Sequence, residues 1–338
     1  MIQKKQYFKD LKNLLISDLS SYTDLHIELW DKKVNDQIVS ELRSKIAKCF
    51  NLKSLNLDLR HSFVKDQGLL ELVNKLGKLN QLQELNLNLR YTSFTSQGLS
   101  DLGQGLSKCM KIQTLELILE ANKIQDQGLQ LLSFGLAKCI NLQALTLKLS
   151  SYSQISDVGA SNLCSGIINC SNIGLSLSLM INDSCEKNGL QLCTQLAKLT
   201  NIETLQLDLD LDSNNNNISD AGIPHLTSVL AECKQISVFT IQLEGNFILD
   251  YGVSHLLSGL KKCAKISSLG LNLQGPPRTK QLINNIQNKI NKMPRLVQYQ
   301  LEIDECDPDY QFNLDYPEDQ ISEEGNDSYQ DSDQFDDI

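Results

Sequence analysis

Apolar and polar residues alternate along this chain in short runs that return at a fixed interval. Leu55, Leu57 and Leu59 are followed thirty residues later by Leu85, Leu87 and Leu89, then by Leu115, Leu117 and Leu119, and the series continues from Leu145, Leu175 and Leu205. Leu25, Ile27 and Leu29 hold the same phase upstream. Downstream the pattern returns at Phe239, Ile241 and Leu243, at Leu269, Leu271 and Leu273, and in degenerate form at Tyr299, Leu301 and Ile303. The step from Leu205 to Phe239 is longer, 34 residues, and its excess coincides with the polar run Ser213 to Asn217. Ten copies of one unit result, and a period of this size marks a stacked repeat.

Within a unit, period-two alternation puts the three leucines on one face of a short strand and the intervening residues on the other. Strands are therefore predicted at 55–59, 85–89, 115–119, 145–149, 175–179 and 205–209, in one parallel sheet. An Asp or Ser then stands two positions before a Gly, as in Asp66, Ser96, Asp126, Asp157, Asp220 and Asp250. Such side chains favour helix N-caps, which predicts a helix start at each. Behind them, Leu69, Leu72, Val73 and Leu76, or Leu129, Leu132 and Leu136, recur at three and four, one buried stripe of a helix. No unit of this size closes a core alone, so neighbours must stack.

The unit Leu142, Leu145, Leu147, Leu149, Ile155, Gly159 and Leu163, with a Cys before the next copy, resembles a leucine-rich repeat of the ribonuclease-inhibitor-like subclass. The resemblance spans residues 25 to 303. It implies an α/β fold, a leucine-rich repeat solenoid or horseshoe with a parallel concave sheet and convex helices, acting as a scaffold for a partner. The domain reading is then 1–24 as an N-terminal capping segment, 25–304 as the solenoid and 305–338 as an acidic tail. The asparagine that this family places after its strand is matched by Asn122 in one unit.

Charge separates the tail from the rest. The net charge is −10, yet fifteen of the 41 acids fall between Glu302 and Ile338, where there is no Lys or Arg, leaving 26 acids against all 31 basic residues before them. Like-charge repulsion and low apolar content read as a disordered segment. An acidic tail competes for any basic patch, which disfavours nucleic acid as a partner. Its Asp307, Asp309, Gln311, Asn313, Asp315 and Glu318 imitate the spacing of a calcium loop, but Phe312 occupies the glycine position and Pro308 and Pro317 interrupt it.

Five of the ten cysteines, Cys49, Cys109, Cys139, Cys233 and Cys263, lie six residues before the first strand apolar residue, where other units carry Leu79 and Leu199. Exchange with leucine means a small buried hydrophobe rather than a disulfide or metal framework. The four histidines are scattered, and no phosphate loop or nucleophile elbow is present, so no enzyme, cofactor or metal site is expected. No run approaches a membrane span and Met1 to Ser21 lacks the apolar core of a secretory signal, which points to a cytoplasmic monomer, with the nucleus as the alternative.

The expected function is protein binding through the concave face, by Asn56, Asp58, Arg60, Asn86, Asn88, Arg90, Glu116, Lys148, Asp208 and Asp210. Early units carry the arginines and later ones the acids, a polarity that orients a partner. Loop aromatics Phe63, Tyr91, Phe94, Tyr152 and Phe247 are candidate anchors or core covers. Two further roles fit the architecture. One is GTPase activation of the Ran type, which also pairs a leucine-rich solenoid with an acidic tail and would draw on Arg60 or Arg90. The other is substrate recognition in a ubiquitin ligase, although Met1 to Asp24 is too short for an F-box. Removing Pro308 to Ile338 is expected to leave the unfolding midpoint nearly unchanged at low and high salt, while altering electrostatic association with basic partners; differential scanning calorimetry and binding at both ionic strengths check this.

Overall fold

The computed structural model describes residues 4–30, 33–149, 156–169, 175–181, 202–208, 220, 222–246, 248–275 and 278–305, and every structural statement below concerns these. By its contacts the chain divides into two compact units, Met1–Glu305 and Cys306–Ile338, and the described residues all belong to the first.

Eleven strands form one sheet whose spatial order is the chain order. They are β1 (Lys5–Phe8), β2 (Asp24–Glu28), β3 (Ser54–Asp58), β4 (Glu84–Asn88), β5 (Thr114–Ile118), β6 (Ala144–Leu149), β7 (Leu175–Ile181), β8 (Ile202–Asp208), β9 (Val238–Gln242), β10 (Ser268–Asn272) and β11 (Gln298–Glu302). Every pair is parallel. Parallel neighbours need a crossover, and in every connection but β7 to β8, which lies outside the described residues, a helix supplies it: α1 (Leu11–Ile16), α2 (Asp36–Ile46), α3 (Asp66–Leu76), α4 (Ser96–Leu106), α5 (Asp126–Leu136), α6 (Asp157–Asn169), α7 (Ile223–Glu232), α8 (Asp250–Leu260) and α9 (Lys280–Asn291). The helices α1 to α6 lie side by side, each against the next, as do α7, α8 and α9. The result is a repeating, mixed α/β layer structure.

Register explains the core. Leu55 pairs with Leu85, Leu85 with Leu115 and Leu115 with Leu145, so each leucine stacks on its counterpart one strand away. The third leucine of the triplet lies one residue past the strand, but its N–H still donates across the sheet: Leu59 to Asp58's counterpart Asn88 O at 2.9 Å, and Leu89 to Ile118 O at 2.8 Å. These side chains are fully buried, as are Leu69, Leu72, Leu129 and Leu132 of the helical stripes. Burying a leucine contributes about 1.5–3 kcal/mol, and here most of the covering surface comes from the units on either side.

Three details depart from or add to the sequence reading, the first and third as corrections and the second as an addition. Strand β7 does not follow the thirty-residue count: Leu145 pairs with Leu177 rather than Leu175, and Leu177 then pairs with Leu205, with a register shift between Leu175 and Ser176. Leu175, Leu177, Leu179 and Ile181 alternate over four steps, so two frames satisfy period two and pairing selects the later one. Secondly, residues 1–24 add a strand to the same sheet, β1, which pairs Lys5 with Asp24 after only nineteen residues. That unit has a six-residue helix and no leucine triplet, so the period misses it.

Thirdly, the recurring Asp is not the N-cap of its own helix. Asp66, Asp126 and Asp250 are first helical residues, behind N-cap positions Lys65, Gln125 and Leu249 that make no side-chain cap bond. The carboxylate reaches instead to the next unit. Asp66 Oδ1 accepts from Thr95 N at 2.7 Å and Gly98 N at 3.0 Å, and Asp66 Oδ2 accepts from Thr95 Oγ1 at 2.8 Å. Asp36 accepts from Lys65 N at 2.8 Å, Asp126 from Ser156 N at 2.7 Å and Asp220 from Leu249 N at 2.7 Å. The orphan donors of one helix start are thus satisfied from the neighbour, beside the positive end of that helix's dipole. The glycine follows from the same geometry: a Cβ on Gly98 would lie 2.6 Å from Asp66 Oδ1, and one on Gly68 2.3 Å from Asp36 Oδ1.

Buried polar groups also bridge units. The Asn122 amide donates to Leu89 O at 2.7 Å and Leu119 O at 3.0 Å, and its oxygen accepts from Thr92 Oγ1 at 2.8 Å. Thr92 is its counterpart one unit back, so a short ladder forms with threonine in the asparagine's place. The thiols behave alike: Cys49 Sγ donates to Leu19 O at 3.3 Å and Cys263 Sγ to Leu230 O at 3.0 Å. Burial pushes the Cys139 thiol up to about 11 and Cys109 to about 12. Cys170, Cys185, Cys193, the asparagine run 214–217 and Tyr152 and Phe247 lie outside the described residues.

Asp66→Ala is expected to cost about 1–2 kcal/mol, a lost cap, and to shrink the penalty of Gly98→Ala when the two are combined, because the oxygen that the new Cβ meets is gone; a double-mutant cycle in denaturant checks this. For the thiols, a raised folded pKa means stability present at neutral pH and lost as pH climbs through the unfolded value and on toward the folded one. The unfolding midpoint should fall less steeply between about pH 9 and 11 in Cys109→Ala than in the parent, each referred to its own value at neutral pH.

Candidate partner-binding face

The strand face opposite the helices carries the residues between the leucines, and parallel in-register pairing lines them up in rows that cross the sheet. One row runs Tyr7, His26, Asn56, Asn86, Glu116 and Thr146; the next runs Glu28, Asp58, Asn88, Ile118 and Lys148. No described element covers them. Adjacent members are about 4.8 Å apart by strand spacing, and cross-strand partners form accordingly. The Asn86 amide donates to Glu116 and the Tyr7 hydroxyl to Glu28, while within β2 the Glu28 carboxylate lies 3.0 Å from His26 Nε2.

The arrangement differs from a row of free side chains. Asp58, expected on the open face, is 8% exposed: Arg60 folds back over it, with Nε 3.2 Å from Asp58 Oδ2, and Arg60 N donates to Oδ1 at 3.1 Å. Arg90 Nε lies 3.7 Å from Glu120 Oε2, and Glu120 is equally buried. Asn88 accepts from Arg90 N at 3.2 Å. Lys148 and Asp208 are half-buried on β6 and β8; Asp210 lies outside the described residues. The opposed polarity of early arginines and later acids is therefore largely neutralised where the arginines sit.

Aromatic rings join these pairs. The Arg60 guanidinium sits 5.2 Å from the Trp30 ring centre and that of Arg90 5.1 Å from Tyr91. Tyr91 stacks on His61 at 4.7 Å, and Tyr7 on His26 at 4.2 Å. Trp30 and Tyr91 keep more than two fifths of their surface exposed, Phe63 more, whereas Phe94 is a core residue. His61, Tyr91 and Ala121, equivalent positions just past β3, β4 and β5, have φ of 55°, 51° and 55°. A left-handed tyrosine costs about 1–2 kcal/mol, and backbone bonds hold the turn: His61 N donates to Arg90 O at 2.9 Å and Tyr91 N to Glu120 O at 3.1 Å. That turn sets the rings along the rim beside a cleft of about 610 Å³ lined by Tyr91, Ala121, Lys123 and Gln125 among others.

The sequence pattern pointed to Arg60, Arg90, Asp58, Asn88 and Glu120 and to Tyr91; it gave no sign of Tyr7, His26, Glu28, Trp30 and His61 as members of one connected surface. The signal for Trp30 was the position just past the triplet that Arg60 and Arg90 share. Among the described residues no group of His, Cys, Asp and Glu is arranged to hold a metal, and no helix is long and apolar enough to cross a membrane.

Hydrogen bonding from Tyr7, ahead of the contributions of His26 and Lys9, holds the Glu28 carboxyl below its ordinary range, and Glu28 in turn raises the Tyr7 phenol. A depressed carboxyl contributes above its unfolded pKa and loses that contribution as pH falls through its folded one. Glu28→Gln is expected to bring the Tyr7 phenol down toward its usual value near 10, read as a tyrosinate absorbance titration against Tyr7→Phe. Compared with known protein families and with curated proteins, the chain matches none.

Proposed function

We propose that the chain is a leucine-rich repeat protein of the ribonuclease-inhibitor-like subclass, and that it works as a non-catalytic scaffold binding a protein partner through its strand face. On this reading the stack is a solenoid with the sheet on the concave side and the helices on the convex side, acting as a cytoplasmic monomer with an acidic tail. The observation that carries the reading is the uncovered face itself: polar and aromatic side chains in rows across successive strands of one parallel sheet that runs in chain order from β1 to β11. Rigid presentation lowers the ordering cost of binding. Tyr, Trp and Arg, the residues that dominate interface energies, are grouped at one end of it.

Affinity purification with mass spectrometry tests the proposal. Lys148→Glu combined with Asp208→Lys on the strand face is expected to remove the captured partners, while Gln104→Glu combined with Lys138→Glu on the helix side retains them, with unfolding midpoints unchanged in both. Equal loss from both faces, or loss only from the helix side, would reject it.

A further inference from the structure

We infer that the Trp30, Arg60, Arg90 and Tyr91 rim is a docking site for an acidic peptide segment carrying an aromatic or large apolar anchor. The inference rests on the scaffold reading and names the partner chemistry of that face. It starts from what the two arginines leave unused. Arg60 engages Asp58 through Nε and lays its guanidinium against Trp30; Arg90 engages Glu120 through Nε and lies against Tyr91. The approach to each carboxylate is through Nε, and the Arg60 and Arg90 side chains keep 42% and 44% of their surface exposed. Each guanidinium is thus held between a carboxylate and a ring while part of it faces solvent. A fork held this way matches the two oxygens of an incoming carboxylate, with little side-chain entropy left to lose.

The anchor has a place beside the forks. Tyr91 belongs to both features, since it carries Arg90 and also lines the cleft of about 610 Å³ with Ala121, Lys123 and Gln125. Phe63 and Trp30, both well exposed, extend the apolar surface along the rim. A segment whose carboxylates meet Arg60 and Arg90 would set a neighbouring Phe, Tyr or Leu side chain over Tyr91 and toward the cleft.

Two other occupants fit less well. Glu28, Asp58 and Glu120 stand one beside each of Lys9, Arg60 and Arg90. The surface therefore has almost no net positive charge, and a continuous phosphate backbone gains little from it. Nor does a basic segment gain, because Asp58 and Glu120 are buried and already engaged. What remains is a directional set of donors and rings, which suits discrete carboxylates on a peptide.

Fluorescence anisotropy with labelled peptides tests this on the full chain. The probes are an Asp- and Glu-rich peptide with a central Phe, the same peptide with Asn and Gln in place of the acids, its Lys-rich counterpart, and an oligouridylate. The acidic peptide is expected to bind best, and Arg60→Lys or Arg90→Lys, which keep the charge but remove the fork, each to weaken it about tenfold, as expected for losing a charge-assisted hydrogen bond. Trp30→Ala should weaken it too, and Thr240→Ala, on the distant strand β9, should not. Circular dichroism melts on every variant guard against misfolding. Equal binding of the amide peptide, preference for the Lys-rich peptide or the oligouridylate, or unaltered binding by both Lys variants would overturn the inference. If it fails while the Lys148 and Asp208 substitutions still remove captured partners, the scaffold reading stands and only this docking chemistry falls.

Discussion

Each β–α unit of this protein is incomplete until its neighbour is in place. Its leucines are covered by the leucines one strand away, its backbone donors are met by the next strand, and its helix start is capped by a carboxylate from the unit before. Even the Cys49 and Cys263 thiols donate to a carbonyl belonging to the preceding unit. Nearest-neighbour dependence of this kind couples stability along one dimension. A defect in one unit is felt first by the two beside it, and a substitution such as Leu147→Asp, which buries an unpaired charge between β5 and β7, acts on three units at once.

The same dependence shapes the open face. Because register is held by buried leucines on the far side, polar side chains in the rows are set at strand spacing and cannot drift. Cross-unit pairs such as Asn86 with Glu116 and Arg90 with Glu120 then form as a consequence of stacking. The left-handed residues His61, Tyr91 and Ala121 are tolerated because the bonds of the turn over-determine them, and strain that persists for such a reason often accompanies a working surface.

Much of this was legible in the sequence, and the parts that were not share a cause. The leucine period predicts β3 to β6 and their parallel order, since three alternating leucines leave one reading of which face is buried. It places β7 but misses its register, because a fourth apolar residue admits a second frame, and it overlooks β1, whose unit is too short to repeat. The Asp and Gly positions were visible as a motif, but their roles were assigned within a unit. Only stacking reveals that Asp66 serves the helix of Thr95 and Gly98, and that Gly98 is small because Asp66 is there. Arg60 and Arg90 were identified as surface residues, while their pairing with Asp58 and Glu120 depends on how side chains fold back along the rim, which no spacing encodes.

The carboxylate ladder runs one way. Asp36, Asp66, Asp126 and Asp220 each serve the helix that follows in the chain. During synthesis the N-terminal end emerges first, so each of the helices these carboxylates serve meets an acceptor that is already in place and waits for nothing downstream to complete its first turn. The two ends of the array are consequently unequal. As far as the caps go, losing units from the C-terminal end leaves a spare carboxylate facing water, whereas losing them from the N-terminal end strips the cap from the first helix that remains.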